Sequence, residues 1–173
     1  MKKFITLLAL CAFGLASLNA YELKFSDKNG ENKISFKTAK IEQTNGVKFS
    51  GFNEINGQKA WSMSDGIDEC MFDLVYKARK PEITDLDGDG IKEVWLIYYQ
   101  TCVSDVSPAQ MKILVYERKE GETHKYALRG ETYNKFEKIG GEFKADFKGA
   151  DPALLEHAKK LWNKYKSPKL GQD

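Results

Sequence analysis

Six consecutive residues, Val94-Trp95-Leu96-Ile97-Tyr98-Tyr99, restrict the possible folds of this chain more than any other stretch. All are β-branched, aromatic or leucine, which favours a strand. Successive side chains of a strand point to opposite faces, and here both sets are apolar. Such a strand needs cover on both sides, whereas a strand with one wet face alternates apolar with polar. Met71 to Ala78 and Lys112 to Glu117 share its character and supply neighbours.

Cover for the second face is expected from a helix near the C-terminus. Asp151 suits an N-cap and Pro152 the first helical position. Leu154, Leu155, Ala158, Leu161, Trp162 and Tyr165 then recur at helical spacing, opposite Glu156, Lys159, Lys160, Asn163 and Lys164. Upstream, Tyr21 to Phe25, Lys33 to Lys37, Ile41 to Phe52 and Gln58 to Ser62 read as strands. They are punctuated by Asp27-Lys28-Asn29-Gly30, Asn45-Gly46 and Asn56-Gly57, turn signals that favour an antiparallel meander. Lys125 to Leu128, Tyr133 to Lys138 and Glu142 to Phe147 read as edge strands of the same sheet or sandwich. The expected fold is mainly β (α+β): an antiparallel sheet or small sandwich with one C-terminal amphipathic helix packed on it. Residues 21–166 form one domain in this reading, and 167–173 a flexible tail.

The first 20 residues have the plan of a secretory signal: Lys2 and Lys3, an apolar run from Phe4 to Leu18, and a small residue, Ala20, before the cut. Cys11 falls inside that run after Leu10, where a lipoprotein signal has a small residue. Cleavage after Ala20 removes two of the 27 basic residues and none of the 25 acidic ones, so the mature chain is close to neutral. That gives no case for binding nucleic acid or, after cleavage, a membrane. The expected location is the periplasm or the exterior. Cleavage also leaves Cys70 and Cys102 as the cysteine pair, which an oxidising compartment would bridge.

The stretch Asp85-Leu86-Asp87-Gly88-Asp89-Gly90-Ile91-Lys92-Glu93 carries the most chemistry. A hard cation takes six or more oxygens at about 2.3–2.6 Å, and a curled chain turns alternate side chains inward to provide them. Asp85, Asp87, Asp89 and Glu93 are the expected carboxylate ligands, and Ile91 offers its backbone carbonyl. Position twelve is Leu96 inside the apolar run, so the loop is not an EF-hand. Asp-Gly-Asp-Gly also suits a bare turn, but four carboxylates in nine residues repel one another, which a turn without an ion does not require. Calcium is the expected ion, in a structural role; zinc is disfavoured because no His or Cys joins the cluster. If Cys70 and Cys102 face each other on antiparallel strands, the turn between them centres on residue 86. One long hairpin would then hold the ion at its tip and the disulfide at its base.

The acidic loop resembles the aspartate-rich calcium loops that precede strands in FG-GAP and VCBS-type β repeats, with Glu93 where an aspartate is more usual. It occurs once, which does not suggest a propeller. The order from Ile83 to Thr132 is this loop, a tryptophan-containing strand, Cys102-Val103-Ser104-Asp105-Val106-Ser107-Pro108, the strand Met111 to Glu117, and Tyr126-Ala127-Leu128-Arg129-Gly130-Glu131-Thr132. It resembles a family of small exported bacterial proteins linked to surface polysaccharide biosynthesis. That resemblance implies an envelope or glycan connection and brings no catalytic residues.

Catalytic pairings are not evident. His124 reads as lying in a turn and His157 on the polar side of the helix, both at the surface. Ser104 and Asp105 after Cys102, and Arg129 and Glu131 in a short polar segment, are candidates for a ligand rim. The expected function is an exported calcium-stabilised β-domain binding an envelope component, either glycan or protein. The alternatives are an enzyme of cell-surface polysaccharide metabolism and an inhibitor of a host hydrolase. Oligomeric state is not legible in the sequence.

Overall fold

The computed structural model describes residues 17–105 and 107–169. Most of the apolar run read as a signal peptide lies outside the described residues, as do 170–173 of the tail. No helix among the described residues is long and apolar enough to cross a membrane.

The first four strands form the expected meander: β1 (Ser17–Asp27), β2 (Gly30–Ile41), β3 (Gly46–Ile55) and β4 (Gln58–Ile67), antiparallel and side by side in that order. Its tight turns fall at the predicted dipeptides. Asn56 and Gly57 both take positive φ, 51° and 79°, as a two-residue hairpin of matching twist requires. Strand β1 begins ahead of the predicted cut, and Tyr21 to Asp27 would remain paired with Phe36 to Gly30 after it.

A second sheet has the order β12-β9-β8-β7-β5, from β5 (Asp73–Ala78), β7 (Glu93–Val103), β8 (Gln110–Lys119), β9 (Glu122–Glu131) and β12 (Phe143–Asp146). A short strand, β6 (Glu82–Thr84), also pairs with β7. The double-sided strand is central, as its composition demands. Val94, Leu96 and Tyr98 of β7 point into a core shared with the first sheet, including Ile34, Phe36, Phe49, Trp61 and Met63. Trp95, Ile97 and Tyr99 point the other way, beneath α1 (Pro152–Tyr165), against Leu154, Ala158, Leu161 and Trp162. The layers are therefore sheet, sheet and helix. Asp151 caps α1 by accepting the Ala153 N–H at 2.8 Å, and Trp162 Nε1 donates to the Gly141 carbonyl at 2.9 Å.

Five expectations need correction. Tyr133 to Lys138 is not an edge strand of the main sheet. Tyr133–Asn134 (β10) pairs only with Ile139–Gly140 (β11), in a small separate hairpin. Cys70 and Cys102 do form a disulfide, with Cα atoms 5.6 Å apart, but they are not cross-strand partners. Cys102 lies opposite Leu74, four residues further along, because β5 starts only at Asp73. Cys70 sits in the β4–β5 crossover, where the β2–β3 turn holds it: its N–H donates to the Thr44 carbonyl, and Asn45 Nδ2 donates to its carbonyl. The bridge thus ties the connection between the sheets to the central strand. Met71 and Phe72, read as strand, are exposed beside it. His157 is not a surface histidine, since its ring meets Trp95 edge-on at 4.9 Å. His124 lies within β9, not in a turn.

Candidate functional site

The loop between β6 and β7 curls as its glycines allow. Gly88 and Gly90 take φ of 71° and 82°, which side-chain-bearing residues rarely adopt. The aspartates organise the curl by accepting backbone N–H groups: Asp85 from Gly90 at 3.3 Å, Asp87 from Asp89 at 3.3 Å, and Asp89 from Ile91 at 2.7 Å. One carboxylate oxygen from each of Asp85, Asp87 and Asp89 lies within 4.8 Å of the others. Oxygens sharing a calcium ion sit no more than about twice the 2.3–2.6 Å ligand distance apart, so this spacing fits one ion.

Glu93 belongs to a second, deeper group. It is the first residue of β7 and is fully buried. The Thr84 hydroxyl and the Leu86 N–H both donate to its carboxylate, and Trp95 Nε1 donates in turn to Thr84 Oγ1. Its oxygens meet Asp87 and Glu117 within the same 4.8 Å, so Asp87 is shared by both groups. Burial pushes the Glu93 carboxyl above its usual range against the pull of these donors, and the Asp87 charge adds to the push. Ile91, expected to offer its carbonyl, gives its N–H to Asp89.

Glu117 and Lys119, both on β8, were missed in the sequence. Lys119 Nζ lies 2.5 Å from Asp87, 3.2 Å from Glu117 and 3.3 Å from Asp89. Asp87 is drawn below the ordinary carboxylate range: burial opposes this, but the Lys119 ammonium and the Asp89 N–H outweigh it. Lys119 itself is held well above the usual lysine range despite burial, by Asp87 and Glu117. The β1–β2 turn closes the loop from the other sheet. Lys28 donates its N–H to the Gly90 carbonyl and its ammonium to the Asp89 carbonyl, and the Lys92 N–H reaches Asp27 Oδ2 at 3.2 Å. The carboxyl groups of Asp85, Asp87, Asp89, Glu93 and Glu117 thus share the Lys119 ammonium, with the Lys28 ammonium nearby on a backbone carbonyl, an excess of acidic groups that a divalent cation would offset.

The four rim candidates do not form one site. Ser104 and Asp105 are exposed, and Asp105 accepts the Ser107 N–H at 2.8 Å in a local turn. Asp105 lines a shallow depression with Val103, Pro108 and Phe136. Arg129 and Glu131 are in strand β9 and line a different, open groove of about 630 Å³ with Gln110, Lys112, Glu142 and Lys144. This groove and the acidic loop lie at opposite ends of β8, about 23 Å apart between Lys112 and Lys119 at the usual rise per residue. They cannot share one cavity.

No family model, curated protein or solved structure matches this chain.

Proposed function

We propose that the chain is an exported β-domain, stabilised by calcium at the loop Asp85 to Glu93, that binds a component of the cell envelope. The close approach of the Asp85, Asp87 and Asp89 carboxylates carries the calcium part of this reading. Oxygen-only ligands on a flexible loop suit calcium better than magnesium, which demands stricter octahedral geometry, and better than zinc, which prefers nitrogen and sulfur. Glu93 and Glu117 would complete the shell or neutralise it from beneath, with the Lys119 ammonium displaced when the ion binds. A structural role suits the position, because the loop joins the central strand to the turn of the opposite sheet.

Export is supported by the disulfide, since such bridges persist in oxidising compartments. The binding role is supported by the open groove between β8, β9 and β12, which is lined by charged side chains of both signs and lies far from the acidic loop. A single enclosed site joining the acidic loop to Arg129 or Asp105 would have favoured the enzyme alternative.

Thermal melting tests the calcium reading. Millimolar calcium should raise the melting temperature of the mature domain, and Asp87→Ala with Asp89→Ala should abolish the rise. No shift in the intact protein would overturn it.

A further inference from the structure

The groove has a charge pattern across three strands. Lys112 lies opposite Arg129, and Arg129 opposite Lys144, so β8, β9 and β12 present three cations in one row on one face. Directly opposed like charges destabilise a sheet, their Cβ atoms being only about 4.5–5.5 Å apart. Only Lys112 is neutralised within the protein, by Asp65 at 2.6 Å. The Arg129 and Lys144 side chains are exposed and make no hydrogen bond or ion pair with the described residues. The repulsion extends to Lys125, whose ammonium is held below its usual range by burial and then by the Arg129 charge.

This face is open toward β12 because the first sheet reaches only its β8 end, through Asp65 of β4 on Lys112. Among the described residues, β9 contributes Ala127 to the core between the sheets and β12 contributes none. On the opposite face the same strands are sealed under α1 through Leu128 and Phe143. Beside the cation row runs a second row of different chemistry, Gln110 opposite Glu131, with the Glu131 N–H bonded to the Glu142 carbonyl. Carboxylates and an amide here accept from hydroxyls and repel a bare polyanion. An occupant must carry its own anionic groups for Arg129 and Lys144, together with many hydroxyl donors for Glu131, Glu142 and Gln110.

We propose that this groove binds a carboxylate-bearing oligosaccharide, of the uronic-acid type, with its carboxylates on Arg129 and Lys144 and its hydroxyls on Glu131 and Gln110. The proposal rests on the reading of the domain as an envelope binder and names the ligand class. Its recognition is electrostatic at one row and hydrogen-bonded at the other, so it weakens with salt without vanishing.

Calorimetric titration in calcium-free buffer keeps the test independent of the acidic loop. The probes are an oligogalacturonate, the same oligomer with its carboxylates reduced to alcohols, and polyglutamate. The oligogalacturonate should bind, and Arg129→Gln with Lys144→Gln should weaken it about tenfold or more, with a melting temperature that does not fall and rises as the repulsion is relieved. Equal binding of the reduced oligomer or of polyglutamate, or an unaffected double variant, would overturn the proposal. If the oligouronate fails but a neutral envelope glycan or envelope protein binds, this inference falls and the proposed function stands. If no envelope glycan or protein binds, both fall.

Discussion

Lys119 occupies the space in which a dication would act, so the loop carries a tethered cation of its own. Replacing it with methionine should have two opposite effects. Without calcium, Asp87, Asp89 and Glu117 lose their shared donor, and stability should drop by about 1–3 kcal/mol. With calcium, the competing charge is gone, and affinity should rise, as titration of the ion against Lys119→Met and the parent would show. A second residue, Asp65, joins the sheets by accepting from Tyr98 and Lys112, both at 2.6 Å. Burial opposes its ionisation, but these donors and the Gly66 N–H hold it below the ordinary value of 3.8. The unfolded chain therefore takes up this proton first as pH falls. Stability from Asp65 is fully present above 3.8 and is lost as pH drops through the lower folded value. Denaturant melts across that window should show a shallower acid limb in Asp65→Asn than in the parent. Asp85, Asp87, Asp89 and Glu93 were legible as residues because they fall close together in one short stretch of the chain. Glu117 was less so, although one step of alternation beyond Val115 puts it on the buried helix-side face beside Glu93. Lys119, one strand away, left no local sign.

The elements were legible where local chemistry decides them. Asn-Gly pairs set the hairpins, and Asp151-Pro152 set the start of α1. Strand β7 was readable because both of its faces are apolar. The failures lie where a distant partner overrides the local pattern. Met71 and Phe72 look like strand, but the bridge at Cys70 and the β2–β3 turn hold that segment away from the ladder until Asp73. Tyr133 to Lys138 looks like an edge strand, but the Tyr133 N–H is taken by the Lys166 carbonyl at the end of α1, which draws β10 out of the main sheet. The helix itself is held by packing more than by propensity. Leu161→Ala should cost about 2–5 kcal/mol, since it opens a cavity against the outer face of the central sheet. Chemical denaturation measures the loss, and Leu155→Ala, at a half-buried position, should lose less.

At the scale of the whole molecule, the central sheet has no wet side along β7. One face of the strand lies against the meander and the other against the helix, and its backbone pairs with β5, β6 and β8. The acidic loop sits at one end of this strand and the disulfide at the other. Local fraying at either end is opposed by a covalent tie or by the loop's charge network. Amides from Val94 to Tyr99 should therefore exchange with deuterium more slowly than any others, at the rate of global unfolding, while those of β10 and β11 should exchange through small openings. Mass-resolved exchange would check the order, and fast exchange in β7 would contradict the layered arrangement. The same geometry turns the strand into a clock for the loop. Because Glu93 is both the last residue of the acidic cluster and the first of β7, anything that occupies the loop is felt where water enters last. An ion bound there would lengthen the protection time of amides several residues away that never touch it.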